Sequence, residues 1–125
     1  MIAGVSKVSL LVDDQEVAKR FWTTVMGFEL VTDQTFGAER WIEVTPPDRR
    51  VVLVLNPRQG APRHEPGHAS LPHSNVIFNC EDIEATYAEL SERGVKFPVP
   101  PGRQHFGWWA LFEDPDSTRY ALGQW

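Results

Sequence analysis

The sequence has little cysteine. Cys80 is the only one, which excludes an intramolecular disulfide. A chain built that way is expected in the reducing cytoplasm. Long apolar runs are also missing, and no stretch approaches the ~20 residues of a membrane-spanning helix. The N-terminal "MIAGVSKVSLLVDD" has no apolar segment followed by a small-residue cleavage site, so no signal peptide is read there. Basic runs are absent. Twelve Lys and Arg against 17 Asp and Glu leave a net charge of −5 with no cationic cluster, which argues against a nucleic-acid partner. The mild acidic excess is compatible with cationic ligands, although most such excesses only keep a protein soluble.

What remains is the content of one ordinary domain. The 125 residues are enough to bury a core. The chain reads as one unit used twice. In "SKVSLLVDDQEVAKRFW" (6–22), Val8, Leu10 and Val12 alternate with Lys7, Ser9 and Leu11, as in a strand. Asp13 and Asp14 follow as helix caps, with Glu16 three residues after Asp13 as in a capping box. Val17, Ala18, Phe21, Trp22 and Val25 recur at helical spacing, and Gly27 ends the helix. In "SNVIFNCEDIEATYAEL" (74–90), Val76, Phe78 and Cys80 alternate with Asn75, Ile77 and Asn79. Glu81 and Asp82 take the cap, and Gly94 ends the second helix. Lys7 falls on Asn75 at an offset of 68, and Gly27 on Gly94 at 67.

The second halves repeat as well. "RWIEVTPPDRRVVLVLNP" (40–57) lies on "GWWALFEDPDSTRYALGQ" (107–124) at an offset of 67. Trp41 falls on Trp108, Val44 on Leu111 and Leu55 on Leu122. Each segment has two strand-like runs around a polar Pro/Asp turn. The expected organisation is a first module at 1–57, a linker at 58–73 and a second module at 74–125. The fold class is α+β, with two tandem βαβββ modules forming curved mixed sheets around a cleft. In each first strand one alternating set faces the helix, and Lys7, Ser9, Leu11, Asn75, Ile77 and Asn79 take the other face.

The order and spacing of "VSLLVDDQEVAKRFWTTVMGFEL", "FNCEDIEATYAELSERGVKF" and "GWWALFEDPDSTRYALGQW" resemble the vicinal oxygen chelate superfamily. That superfamily includes glyoxalase I, extradiol dioxygenases and bleomycin-resistance proteins. The resemblance covers essentially the whole chain. It implies a homodimer, and in the family's enzymes a divalent metal held by two side chains from each module. The corresponding positions here are Lys7, Val54, Asn75 and Ala121. An ammonium repels a cation, and the alkyl groups of Val54 and Ala121 offer no donor. The family's metal is therefore expected to be absent.

Other candidates carry competing readings. Lys7 and Asn75 either bind an acceptor on a small molecule or lie solvated at a strand start. Trp108 and Trp109 must point to opposite faces of one strand. With Trp41, they either stack on an aromatic or cationic ligand or simply pack. Glu43 would be a general base if desolvated on the cleft side, and solvated if on an edge. His105, in a loop before a strand, is a weaker candidate. His64, His68 and His73 lie in a Pro/Gly-rich linker that cannot pre-organise a metal site. Cys80 reads as a buried small hydrophobe.

Three functions stay open. The first is a metal-independent small-molecule binder of the bleomycin-resistance type, sequestering an antibiotic or another aromatic compound. The second is a glyoxalase- or dioxygenase-like enzyme (lyase, isomerase or oxygenase) with a non-standard site. The third is a scaffold without a ligand. Ligand-site candidates are Lys7, Ser9, Trp41, Val54, Asn75, Trp108, Trp109 and Ala121, with Glu43 and His105 as catalytic candidates.

Overall fold

The structure is a computed structural model and describes residues 1–62 and 71–125. The chain divides into two compact units, Met1–Ala61 and Pro62–Trp125.

The first unit holds β1 (Lys7–Val12), α1 (Gln15–Arg20), β2 (Glu29–Phe36), β3 (Glu39–Thr45) and β4 (Val52–Pro57). α1 runs on as a π-helical turn over Phe21–Val25. The sheet order is β1-β4-β3-β2. β1 is parallel to β4 and the other pairs are antiparallel, so the sheet is mixed. The alternation in β1 appears as expected: Leu10 and Val12 are buried, while Lys7, Ser9 and Leu11 are exposed on the opposite face. Leu53 and Leu55 of β4 join Leu10 and Val12 in a core closed by Phe21 and Trp22. Each such side chain contributes roughly 1.5–3 kcal/mol through burial.

Asp14 caps α1 alone, accepting from the backbone N–H groups of Glu16 and Val17 at 2.9 and 3.0 Å. The capping box expected from Asp13 and Glu16 does not form. Arg58 takes Asp13 at 3.0 Å and Arg40 takes Glu16 at 2.8 Å, so long-range ion pairs displace the local motif. Gln15 fixes the helix to the sheet, its amide donating to the carbonyls of Arg40 and Leu55 at 2.8 and 2.9 Å. Asp33 accepts from Arg40 and Lys19, which hold its carboxyl well below the usual carboxylate range. Gly27 ends the helical segment at φ +78°, a left-handed value that favours glycine.

The second unit repeats the plan with β5 (Ile77–Asn79), α2 (Ile83–Glu92), β6 (Val99–Gln104), β7 (Gly107–Glu113) and β8 (Arg119–Gln124). Its order is β5-β8-β7-β6, with β5 parallel to β8. The two βαβββ sheets of the expected fold class are therefore present. Asp82 caps α2 by accepting from Ala85 N–H at 3.0 Å. Gln124 adds a second acceptor for Ile83 N–H at 2.7 Å. Phe112 and Tyr120 stack at 5.6 Å in the core. The strand expected from Asn75 onward begins only at Ile77. Asn75 has φ +59° and its N–H donates to Pro72 at 3.2 Å, so a turn occupies the place of the strand start. Among the described residues no helix is long and apolar enough to cross a membrane.

The turn between β7 and β8 is organised by Asp114. One carboxylate oxygen accepts from the N–H groups of Asp116 and Thr118, both at 2.9 Å, and the other from Tyr120 Oη at 3.2 Å. Burial outweighs these donors and pushes the carboxyl up to about 6. Asp114→Ala removes the acceptor that these three donors share and is expected to cost about 2 kcal/mol. Asp114→Asn keeps the acceptor for the two N–H groups and removes the buried charge, so it should lie much closer to wild type at pH 7. Urea denaturation of the two variants checks this, and equal losses would contradict it.

Candidate functional site

Residues paired across neighbouring strands share a face of the sheet. In the first unit one such row is Ser9, Val54, Glu43 and Thr32. Lys7 precedes Ser9 by two residues and Trp41 precedes Glu43 by two, so both join the row's face, away from α1. This settles the orientation of Glu43. It lies on the interior strand β3, only 5% exposed, on the same face as Lys7. Its Oε2 accepts from Lys7 Nζ at 2.5 Å and from Trp41 Nε1 at 2.7 Å. Alongside, Ser9 Oγ accepts from Asn56 Nδ2 at 2.7 Å.

The two donors decide the electrostatics of Glu43. Desolvation would raise its pKa, but the hydrogen bond from Lys7, then that from Trp41, lower it below the ordinary 4.5. A carboxylate held ionised in this way is a weak proton acceptor, the reverse of a base tuned toward neutral pH. It accepts from both partners through the same oxygen, which ties Lys7 and Trp41 to one point on the sheet. Lys7 remains 47% exposed along its side chain and Trp41 39% exposed, so both also reach solvent. An ammonium has three N–H groups, and one goes to Glu43. Ser9, which accepts from Asn56, still has its own hydroxyl hydrogen to donate.

The same face of the second unit is chemically different. The row matching Ser9, Val54 and Glu43 is Ile77, Ala121 and Leu111, all apolar. Val54 and Ala121 are 67 apart, as the sequence repeat indicates, but Glu43 and Leu111 are 68 apart. The match of Trp41 to Trp108 is therefore corrected by one residue, and Trp41 corresponds to Trp109. Between the paired strands the first unit has one residue more than the second (Glu43 to Val54 against Leu111 to Ala121), so the β3–β4 turn is the longer one and a single offset cannot hold on both sides of it. Trp109 lies on the face away from α2. Trp108 pairs with Gln124 on the helix side, where Arg103 sits 5.6 Å from its ring.

The remaining candidates scatter. Asn75 is exposed in its turn. His105 is exposed in the β6–β7 turn, with its ring edge-on to Phe106 at 5.2 Å. His73 Nδ1 accepts from Arg119 N–H at 3.2 Å, which places its proton on Nε2 and ties it to β8. His64 and His68 lie outside the described residues. Cys80 is half-buried rather than fully buried, its thiol donates weakly to Gly123 O at 3.8 Å, and burial pushes its pKa up.

The four positions assigned to the family's metal do not fit one. Lys7 brings a cation already paired with Glu43, Val54 and Ala121 bring buried alkyl groups, and Asn75 is an exposed amide. Divalent cations need converging imidazole, carboxylate or thiolate donors. Among the described residues no three His, Cys, Asp or Glu side chains come together as such a set. Sequence reasoning missed the contact between Trp41 and Glu43, although "WIE" places both on one strand face. It also missed Asn56, for which no sequence signal was present.

A pH dependence follows. Because the folded pKa of Glu43 lies below 4.5, its contribution to stability is present above that value and is lost as pH falls through the folded pKa. Urea midpoints of wild type and Glu43→Gln should differ most near pH 6–7 and converge in acid. Lys7→Met leaves Glu43 without its cation and should cost about 1–2 kcal/mol at pH 7. Adding Glu43→Gln to it should recover part of that loss. A gap that does not narrow in acid would contradict this account of Glu43.

Comparison with known proteins agrees with the fold. The model of the Glyoxalase/Bleomycin resistance protein/Dioxygenase superfamily matches residues 4–121. The uncharacterized protein YetH of Bacillus subtilis (strain 168) is 34% identical over 123 residues, 98% of each chain. A superfamily member from Sphaerobacter thermophilus DSM 20745 superposes with a TM-score of 0.84 at 29% identity, covering 99% of this chain and 98% of its own. TnmS3, an antibiotic binding protein from Streptomyces sp. CB03234, superposes with a TM-score of 0.79 at 32% identity, covering 98% and 96%. With its two mixed four-stranded sheets and a family match over nearly its whole length, the chain belongs to the glyoxalase/bleomycin resistance protein/dioxygenase superfamily.

Proposed function

We propose that the protein binds an organic small molecule without a resident metal and sequesters it unchanged, as a binding protein similar to TnmS3. One observation carries this reading. At a position where the resemblance implies a metal ligand in the family's enzymes, the chain has an ammonium paired with a buried carboxylate, and that carboxylate also accepts from an indole N–H. Such a group holds a ligand but has no Lewis acid and no base tuned to neutral pH. Trp41 offers a flat apolar surface for stacking. Lys7 and Ser9 offer donors for an oxygen acceptor on the ligand. Glu43 neutralises Lys7, so a neutral carbonyl or hydroxyl fits better than a carboxylate or phosphate. The resemblance further implies a homodimer, which sedimentation would register as twice the mass of one chain.

The test is a panel of aromatic antibiotics titrated calorimetrically, with the bound compound recovered and analysed by mass spectrometry. At least one compound should bind and be recovered chemically intact. Trp41→Ala should weaken it by about tenfold, the order expected for one lost aromatic contact. Conversion of the compound on turnover timescales would replace this reading with the enzymatic one.

A further inference from the structure

Glu43 has two carboxylate oxygens and uses one of them. Lys7 Nζ at 2.5 Å and Trp41 Nε1 at 2.7 Å both donate to Oε2. No donor among the described residues reaches Oε1. Thr32 stands directly across from Glu43 on β2, on the same face, and none of the carboxylate's bonds goes to it. On the other side its neighbour is Val54, an alkyl group.

An ionised carboxylate has about four acceptor positions shared between its oxygens. Two donors on Oε2 leave Oε1 with its full capacity. The bonds from Lys7 and Trp41 also keep the group ionised, so Oε1 carries negative charge and has no hydrogen to give. A hydrogen bond to a charged acceptor is stronger than one to a neutral acceptor, and leaving a buried one unmatched is more costly. The ammonium of Lys7 lies on the same face with N–H groups to spare. An acceptor and a donor therefore stand side by side.

We propose that Oε1 of Glu43 determines the specificity of this site, taking the hydrogen of a hydroxyl group on the ligand while Lys7 donates to that hydroxyl's oxygen. The ligand is then an alcohol or a phenol. A hydroxyl answers both partners, because it donates one hydrogen and accepts on its lone pairs. An ether or a ketone answers Lys7 and leaves Oε1 unmatched. A carboxylate or phosphate sets like charge against Glu43, and an ammonium sets like charge against Lys7. In the second unit the position matching Glu43 is Leu111, so the selection belongs to the first sheet. This deepens the small-molecule reading above and rests on it.

The experiment titrates 2-naphthol and 2-methoxynaphthalene into the full chain at pH 7, followed by naphthalene fluorescence. The two probes differ by one methyl group on the oxygen. Wild type should bind the hydroxyl compound at least about tenfold more tightly than the ether. In Glu43→Gln the amide oxygen can accept from Lys7 and Trp41, which puts an NH2 donor where Oε1 stood. The preference should shrink there to within about twofold, while the ether binds no worse than to wild type. The ether thus separates lost recognition from a lost fold. Lys7→Met should weaken both probes and keep the preference, since Oε1 remains. Equal binding of the two probes by wild type, or binding of neither, overturns the proposal. So does a preference that survives in Glu43→Gln or disappears in Lys7→Met. If antibiotics still bind in a manner that depends on Trp41, the small-molecule reading stands and only the hydroxyl assignment falls.

Discussion

Glu43 is a carboxylate buried in the middle of a sheet, and burying it alone would be costly. Lys7 and Trp41 make its place tolerable, one with an opposite charge and the other with a neutral donor. Several features of the first unit depend on that arrangement. Lys7 is drawn toward β3 from the start of β1, across the intervening β4. Trp41 is fixed with its nitrogen inward and its ring partly in solvent. Val54 lies beside Glu43 as a buried alkyl group. The face thereby gains a defined polar centre with almost no net charge.

Duplication has produced two sheets of one topology and two different chemistries. The first presents Lys7, Ser9, Glu43 and Trp41. At matching positions the second presents Ile77, Leu111 and Trp109. Trp41 and Trp109 are the retained element, an indole on the same strand and the same face in each unit. In the first unit the indole is tethered by a carboxylate. In the second it stands between glycines, and Trp125 lies over one of them.

Much of this was legible in the sequence. The alternation in β1 and β5, the helix stops at Gly27 and Gly94 and the two hairpins follow from local rules, and the structure has them. The opposite orientations of Trp108 and Trp109 followed from strand geometry alone. What the sequence could not carry were choices among partners. Asp13 was as good a cap as Asp14 until Arg58, 45 residues away, claimed it. Glu43 had two opposite readings because its pKa depends on Lys7, 36 residues away. The one-residue slip between Trp108 and Trp109 arose because offsets count residues while strands count pairings. Gly123 looked like an ordinary glycine, since the ring of Trp125 that needs its missing Cβ is placed by the fold.

An internal ion pair, Lys7–Glu43, stands at a position where the family resemblance implies a metal ligand. Titrating the chain with Zn²⁺, Ni²⁺, Mn²⁺ and Fe²⁺, followed by tryptophan fluorescence and native mass spectrometry, tests whether that ion pair excludes a metal. No stoichiometric complex should form, and no quenching should depend on Lys7 or Glu43. A one-to-one complex formed by the wild type and lost on mutating Glu43 or Asn75 would contradict it.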